Sequence, residues 1–163
     1  MSSPVQFEYF KFLYEHERHR HIELINRGKV YLSIITLYMG LLAMGADKTI
    51  ARVENSLPLI LIYISSLFFI ISALADVIFA IGIYTNEKPS DPEVIINRMD
   101  DTVTPDQKFI EDRIIDFAVA TNRNSANNDK RAGYLRYSTY LLLLGILCQA
   151  VLVTLIFITL PEK

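Results

Sequence analysis

The residues best suited to chemistry crowd into positions 14 to 32, YEHERHRHIELINRGKVYL, which hold all three histidines with three glutamates and four basic residues. Imidazoles beside carboxylates suggest a metal site or acid–base catalysis, and either needs its groups on one face. On a helix His16 and His19 share a face, but His21, five residues after His16, points away. Helical zinc motifs use histidines four apart, and the residue four after His16 is Arg20, which is no ligand. A nuclease pairing with arginine five to seven residues ahead of a histidine fails too, because no arginine precedes Arg18. The phosphate-binding signatures GxGxxG and GxxxxGK are absent, and serine, histidine and aspartate occur only scattered. Cys148 stands alone inside an apolar run, so no disulfide framework or CxxC site is expected. The sequence thus points to no enzyme, no metal and no cofactor, and a net charge of −2 gives no reason to expect nucleic acid binding.

The elements that position these residues are set by three uncharged runs, 30–46, 57–75 and 137–160. A membrane-crossing helix needs about 17–25 mainly apolar residues. A helix of a soluble bundle would show polar residues at every turn, and these runs do not. The expectation is an all-α membrane protein with three transmembrane helices and the lipid bilayer as its first partner. Its layout reads as one domain, 1–163: an N-terminal amphipathic helix at 1–29, spans at 30–46, 57–84 and 137–160, an outer loop at 47–56, and a cytoplasmic helical linker at 85–136. The N-terminus lacks a short apolar segment with a small-residue cleavage site, so the first span is expected to persist.

Orientation follows from Lys and Arg. Five lie in 1–29 and eight in 85–136, so a cytoplasmic N-terminus and an outer C-terminus place thirteen of the sixteen inside. Residues 6–29 read as one helix continuing into the first span. Along it Glu15 with His19, Glu17 with His21, and Glu23 with Arg27 are spaced for pairs worth about 0.2–0.5 kcal/mol each. His16, His19, His21 and Lys29 are candidate cytoplasmic docking residues. Gly28 either loosens this helix or admits a close neighbour.

Pro89 and Pro92 end the second helix, and a short helix is expected around 93–99. Thr104, Pro105 and Gln107 then form a proline-led capping box. No proline follows until Pro161, so one helix of about 80 Å is open to the chain from 105 to 160, broken at most around 127–133. Phe109, Ile110, Ile114, Phe117 and Ala120 make its apolar face. Asn122, Asn124, Asn127 and Asn128 follow, and Asn124, Asn128 and Arg131 share a face. Asparagine side chains compete for backbone hydrogen bonds. The stretch is therefore either a loop between two helices or a polar stripe facing another helix or a water-filled vestibule. Within the spans, Ser72, Asp76 and Gln149 are candidates for lining a pore or hydrogen-bonding between helices. A charge at bilayer depth must face protein or water, unless Asp76 marks the cytoplasmic interface. Small residues, among them Gly40, Ala43, Gly45, Ala73 and Ala80, allow close packing.

The basic helix ending in INRGKVYLSIITLYMGLL, the hydrophobic hairpin, and ATNRNSANNDKRAGYLRYSTYLLLLGIL resemble the small membrane effectors of bacterial antiphage systems, the Pycsar transmembrane effectors and SLATT-type modules. The matching residues are Lys29 in the first stretch and Asn124, Asn128, Lys130 and Leu135 in the second. Membrane accessory proteins of RNA-targeting CRISPR systems have a similar layout. The resemblance implies a homo-oligomer that breaches the bacterial inner membrane on an infection signal, delivered by a cyclic nucleotide or a defence partner protein. Many such effectors carry a separate sensing domain. Here the signal would have to reach the linker and the N-terminal helix.

Overall fold

The computed structural model describes residues 4–54, 56–82, 87–90 and 105–159, with side chains from 108 onward in the last of these. They form α1 (Pro4–Val53), α2 (Leu57–Gly82) and α3 (Pro105–Thr159), with no strand among the described residues. The fold is all-α, and each helix holds a stretch long and apolar enough to cross a membrane. The helix expected at 93–99, the Thr104 cap and the chain after 159 lie outside the described residues.

One boundary differs from the sequence reading. Most of the outer loop expected at 47–56 is the end of α1, which runs to Val53. Residues 47–53 contain no Gly or Pro to stop the helix, and Arg52 in the last turn suits its negative end. The reversal is then very short. Ser56 N–H donates to Val53 O at 2.9 Å, and Ser56 O accepts from Ile60 N at 3.0 Å, the first bond of α2. Pro58 falls in the first turn of α2, where its missing N–H costs nothing. As expected of a long continuous C-terminal helix, α3 passes through 127–133 without a break.

Where the sequence reads as one domain, contacts divide the chain into two compact units: Met1–Ile25 with Tyr84–Lys130, and Asn26–Ile83 with Arg131–Lys163. The first unit has an aromatic core. Tyr14, Phe117 and Ala120 are buried, with Phe7 and Phe10 packed against them. Phe7 meets Phe117 edge-on at 5.7 Å between centroids, Tyr14 lies 5.5 Å from Phe117, and the Arg113 guanidinium sits 5.1 Å from the centre of the same ring. Such aromatic pairs contribute about 0.5–1.5 kcal/mol beyond area burial.

The second unit is organised by a seven-residue recurrence. On α2 Leu59, Ser66, Ala73 and Ala80 are buried, and on α3 Arg131, Ser138, Gly145 and Leu152. A seven-residue period keeps one face of a gently supercoiled helix toward its neighbour. The two sets meet antiparallel in four layers. Leu59 and Leu152 share a core cluster. Ser66 bonds Gly145, Ser138 bonds Ala73, and Arg131 bonds Ala80. Small residues in the middle layers bring the backbones close. A Cβ on Gly145 would stand 2.7 Å from Ile70 Cγ1 and 3.3 Å from the Ser66 carbonyl oxygen.

α1 is held to this pair at Gly28, at Ile35 and at Val53, which packs with Leu59 and Leu152. Gly28 admits Ile81 and Leu135, whose nearest atoms lie 2.8 and 3.6 Å from where its Cβ would be. Of the two sequence alternatives for Gly28, close approach is the one this geometry uses. Ile35 is fully buried, and no α1 residue after it is buried until Val53. Between them an apolar crevice opens, lined by Met39, Ala43 and Ala46 of α1 and Tyr63, Leu67 and Ile71 of α2.

Candidate functional site: polar ladders along α3

The first polar set lies in the unit of Met1–Ile25 and Tyr84–Lys130. Asn124 sits one turn along from Ala120 on the buried face of α3, and only 1% of it is exposed. Its Oδ1 accepts from Glu87 N–H at 2.8 Å, and its Nδ2 donates to Glu87 O at 2.9 Å. One side-chain amide thus satisfies both backbone groups of a residue outside any helix, where two orphaned groups would each cost about 1–3 kcal/mol. Arg123 fixes the same residue from the side, its Nη1 2.9 Å from the Glu87 carboxylate. Arg113 Nη1 donates to Ser90 O at 2.6 Å, so residues 87–90 lie strapped along α3. One turn further, Asn128 Nδ2 donates to Glu17 O and Glu17 Oε2, both at 2.9 Å. Arg20 completes the cluster, 2.6 Å from Asp129 and 3.6 Å from Glu17. The hydrogen bond to Asp129 holds the Arg20 guanidinium above its ordinary pKa; partial desolvation opposes this and the Glu17 charge assists it.

These bonds explain why an Asn-rich stretch stays helical. The amides of Asn124 and Asn128 are engaged by Glu87 and Glu17, so they do not compete for the backbone of α3.

The second set lies in the unit of Asn26–Ile83 and Arg131–Lys163. Arg131 is fully buried, and its Nε donates to Ala80 O at 2.6 Å. Ala80 is in the last turn of α2, where carbonyls lack helical partners and the helix presents negative charge. A guanidinium there acts as a C-terminal cap. Burying a charge costs several kcal/mol, and a short charge-assisted bond at a helix end offsets part of it. Seven residues on, Ser138 Oγ donates to Ala73 O at 2.9 Å. After a further seven, Ser66 Oγ lies 3.1 Å from Gly145 O and 3.0 Å from Gln149 Oε1. One hydroxyl proton serves one acceptor, so the consistent arrangement turns the Gln149 amide to donate to Ser66 while Ser66 donates to Gly145 O.

Of the sequence candidates, Asn124, Asn128, Arg131 and Gln149 therefore bond to neighbouring segments of the same chain, and the first three are buried. Ser72 and Asp76 are different. Both are half-buried on α2, and neither has a hydrogen-bond or ion-pair partner among the described residues. The docking candidates are not gathered. His16 and His19 are exposed, with His16 stacked on Phe12 at 6.3 Å and 26°, while His21 is half-buried and engaged. Lys29 is exposed. Among the described residues no group of three His, Cys, Asp or Glu could hold a metal ion. Ser66, Ser138, Gly145 and Glu87 were not singled out by sequence, and Glu17 was read only as a helical partner of His21. The seven-residue spacing of the first three was the available signal, and Glu87 left none.

This geometry defines an all-α protein with three apolar helices fit to cross a membrane, tied by side-chain-to-carbonyl bonds. Comparison with known protein families, curated proteins and solved structures finds no match to this chain.

Proposed function

We propose that the chain is a homo-oligomeric, α-helical pore-forming effector of the bacterial inner membrane acting in antiphage defence, with a cytoplasmic N-terminus and an outer C-terminus. The observation that carries the pore reading is the pair Ser72 and Asp76. A carboxylate at bilayer depth costs a few kcal/mol unless it meets protein or water, and this one is partly exposed without a partner among the described residues. A second copy, or a water-filled path between copies, supplies what the single chain lacks. Three helices are too few to enclose such a path, so closed symmetry is required. The defence role rests on the resemblance carried by Lys29, Asn124, Asn128, Lys130 and Leu135, and it makes a cyclic nucleotide or a defence partner protein the activating signal.

The test is reconstitution in liposomes, with ion flux and dye release measured with and without cyclic nucleotides. Asp76→Asn should change conductance or cation selectivity several-fold at unchanged helix content. Liposomes that stay sealed under every condition, with Asp76→Asn inert, would remove the pore reading.

One observation favours a second reading, a membrane-tethered adaptor that does not conduct. Asn124, Asn128 and Arg131 are enclosed in the protomer, so they are not available to line a vestibule. An adaptor predicts sealed liposomes that still recruit a soluble defence protein.

A further inference from the structure

α1 carries a row of residues that the other described helices leave exposed. In the first unit Val5, Tyr9, Phe12, His16 and His19 are all exposed, Tyr9 by 58% and Phe12 by 63%, opposite the face that buries Tyr14. Their spacing alternates four and three, the a and d positions of a heptad, which forms a continuous seam only against another helix. In the second unit Val30, Ser33, Leu37, Gly40 and Met44 are likewise exposed. There large side chains alternate with small ones, as in helix pairs that interlock in lipid. A Cβ on Gly40 would meet nothing within 4 Å, so the hole it offers is unfilled. Counted along the sequence, both rows fall in one seven-residue register. α1 is also the least covered of the helices, with 6% of its most apolar stretch buried against 22% for α2 and α3.

We infer that this row is the self-association seam of the protein, pairing α1 in parallel with α1 of a second copy. The inference rests on the reading of the chain as a membrane-spanning homo-oligomer, and it adds which surface joins the copies. Copies inserted with one orientation present their α1 helices parallel. In a parallel pair a g residue faces the e residue five positions later on the partner helix. Glu15 falls at g and Arg20 at e, so each copy offers an acid to the other's guanidinium. Arg20 retains capacity for it, since a guanidinium has five donors. A bilayer surface is a poorer occupant for the first row, because Glu8 and Glu15 border it and anionic lipid repels acids.

The test uses the full chain in membranes with Cys148→Ser and one new cysteine at a time. Facing a or d positions lie within the ~4.4–6.8 Å Cα separation a disulfide requires. Phe12→Cys and Leu37→Cys should give oxidised dimers at least about tenfold faster than the exposed off-seam sites Arg18→Cys and Leu143→Cys. Far-UV circular dichroism verifies the fold of each variant. Equal rates at all four sites, or faster dimers at the off-seam sites, would overturn the seam. The mass of the detergent-solubilised protein separates this from the parent reading. An oligomer without seam cross-links refutes the surface and keeps the assembly, and a monomer refutes both. Seam dimers in liposomes that stay sealed keep the surface and refute the pore.

Discussion

Gly145 offers a sharp test of the antiparallel packing of α2 on α3, because alanine there should do the opposite of what it does elsewhere on the same helix. In an open helix interior, Gly→Ala stabilises by roughly 0.5–1 kcal/mol, since glycine has more backbone freedom to lose. Gly133 provides that reference, as its Cβ would meet nothing within 4 Å. At Gly145 the added methyl carbon would stand 2.7 Å from Ile70 Cγ1 and 3.3 Å from Ser66 O. Cγ1 is on the stiff, β-branched part of isoleucine, Ile70 is only 1% exposed, and the second contact is backbone. Neither can step aside without moving α2. Overpacking a tight site costs about 1–3 kcal/mol. Set against the propensity gain, Gly145→Ala should lower stability by about 0–2 kcal/mol while Gly133→Ala raises it. The gap between the two variants, about 1–3 kcal/mol, is the robust quantity because the propensity gain cancels. Reversible unfolding in mixed micelles, followed by far-UV circular dichroism, measures it. Ile70→Ala removes the clashing carbons, so the double variant should be more stable than the sum of the single losses predicts, by at least ~0.5 kcal/mol. If Gly145→Ala stabilises as much as Gly133→Ala, or if the double variant is additive, the two helices do not meet at this layer.

Three further outcomes follow from the polar bonds. Arg131→Met should destabilise by about 1–3 kcal/mol, because it uncaps α2 and leaves Ala80 O buried without its donor; amide exchange in the last turn of α2 should accelerate, and unchanged exchange would refute the capping role. Asn124→Asp keeps the acceptor for Glu87 N–H but replaces the donor to Glu87 O with a carboxylate, so about 1–3 kcal/mol should be lost, visible as faster proteolysis around 87–90. Arg20→Ala should cost no more than about 1 kcal/mol despite the short contact to Asp129, since both groups are substantially exposed and salt screens them; a larger loss in a salt-dependent unfolding series would show a role beyond this pair.

The helices were legible because their signals are long. Three uncharged runs, the single basic helix leading into the first, and the absence of proline after Pro105 each constrain dozens of residues at once. The end of α1 was misread because 47–53 is polar, and polarity near an apolar run looks like a loop unless the lack of Gly and Pro is weighed. The face shared by Asn124, Asn128 and Arg131 could be read from spacing, yet their partners could not. Glu87 and Glu17 lie about 37 and 111 positions away in sequence, and no local pattern in one chain encodes a bond over such a separation. Ser66, Ser138 and Gly145 look like ordinary small residues in a span. Only a search for a seven-residue period across two segments, run in opposite directions, would have paired them.

The positions of the polar side chains divide the molecule into groups that hold it together and groups left over. A side chain that gives its only proton to a carbonyl of another helix, as Ser138 does to Ala73, cannot also donate to an anion or a water without breaking that bond. Arg131 and Asn124 are committed in the same way, and both are enclosed. Substituting them should lower stability first and change function only through the fold. Ser72 and Asp76 have no such commitment among the described residues, so their substitution should leave stability nearly untouched. On the proposed pore reading Asp76 lies at bilayer depth, where a carboxylate must face protein or water, and a second copy or a water-filled path supplies that contact.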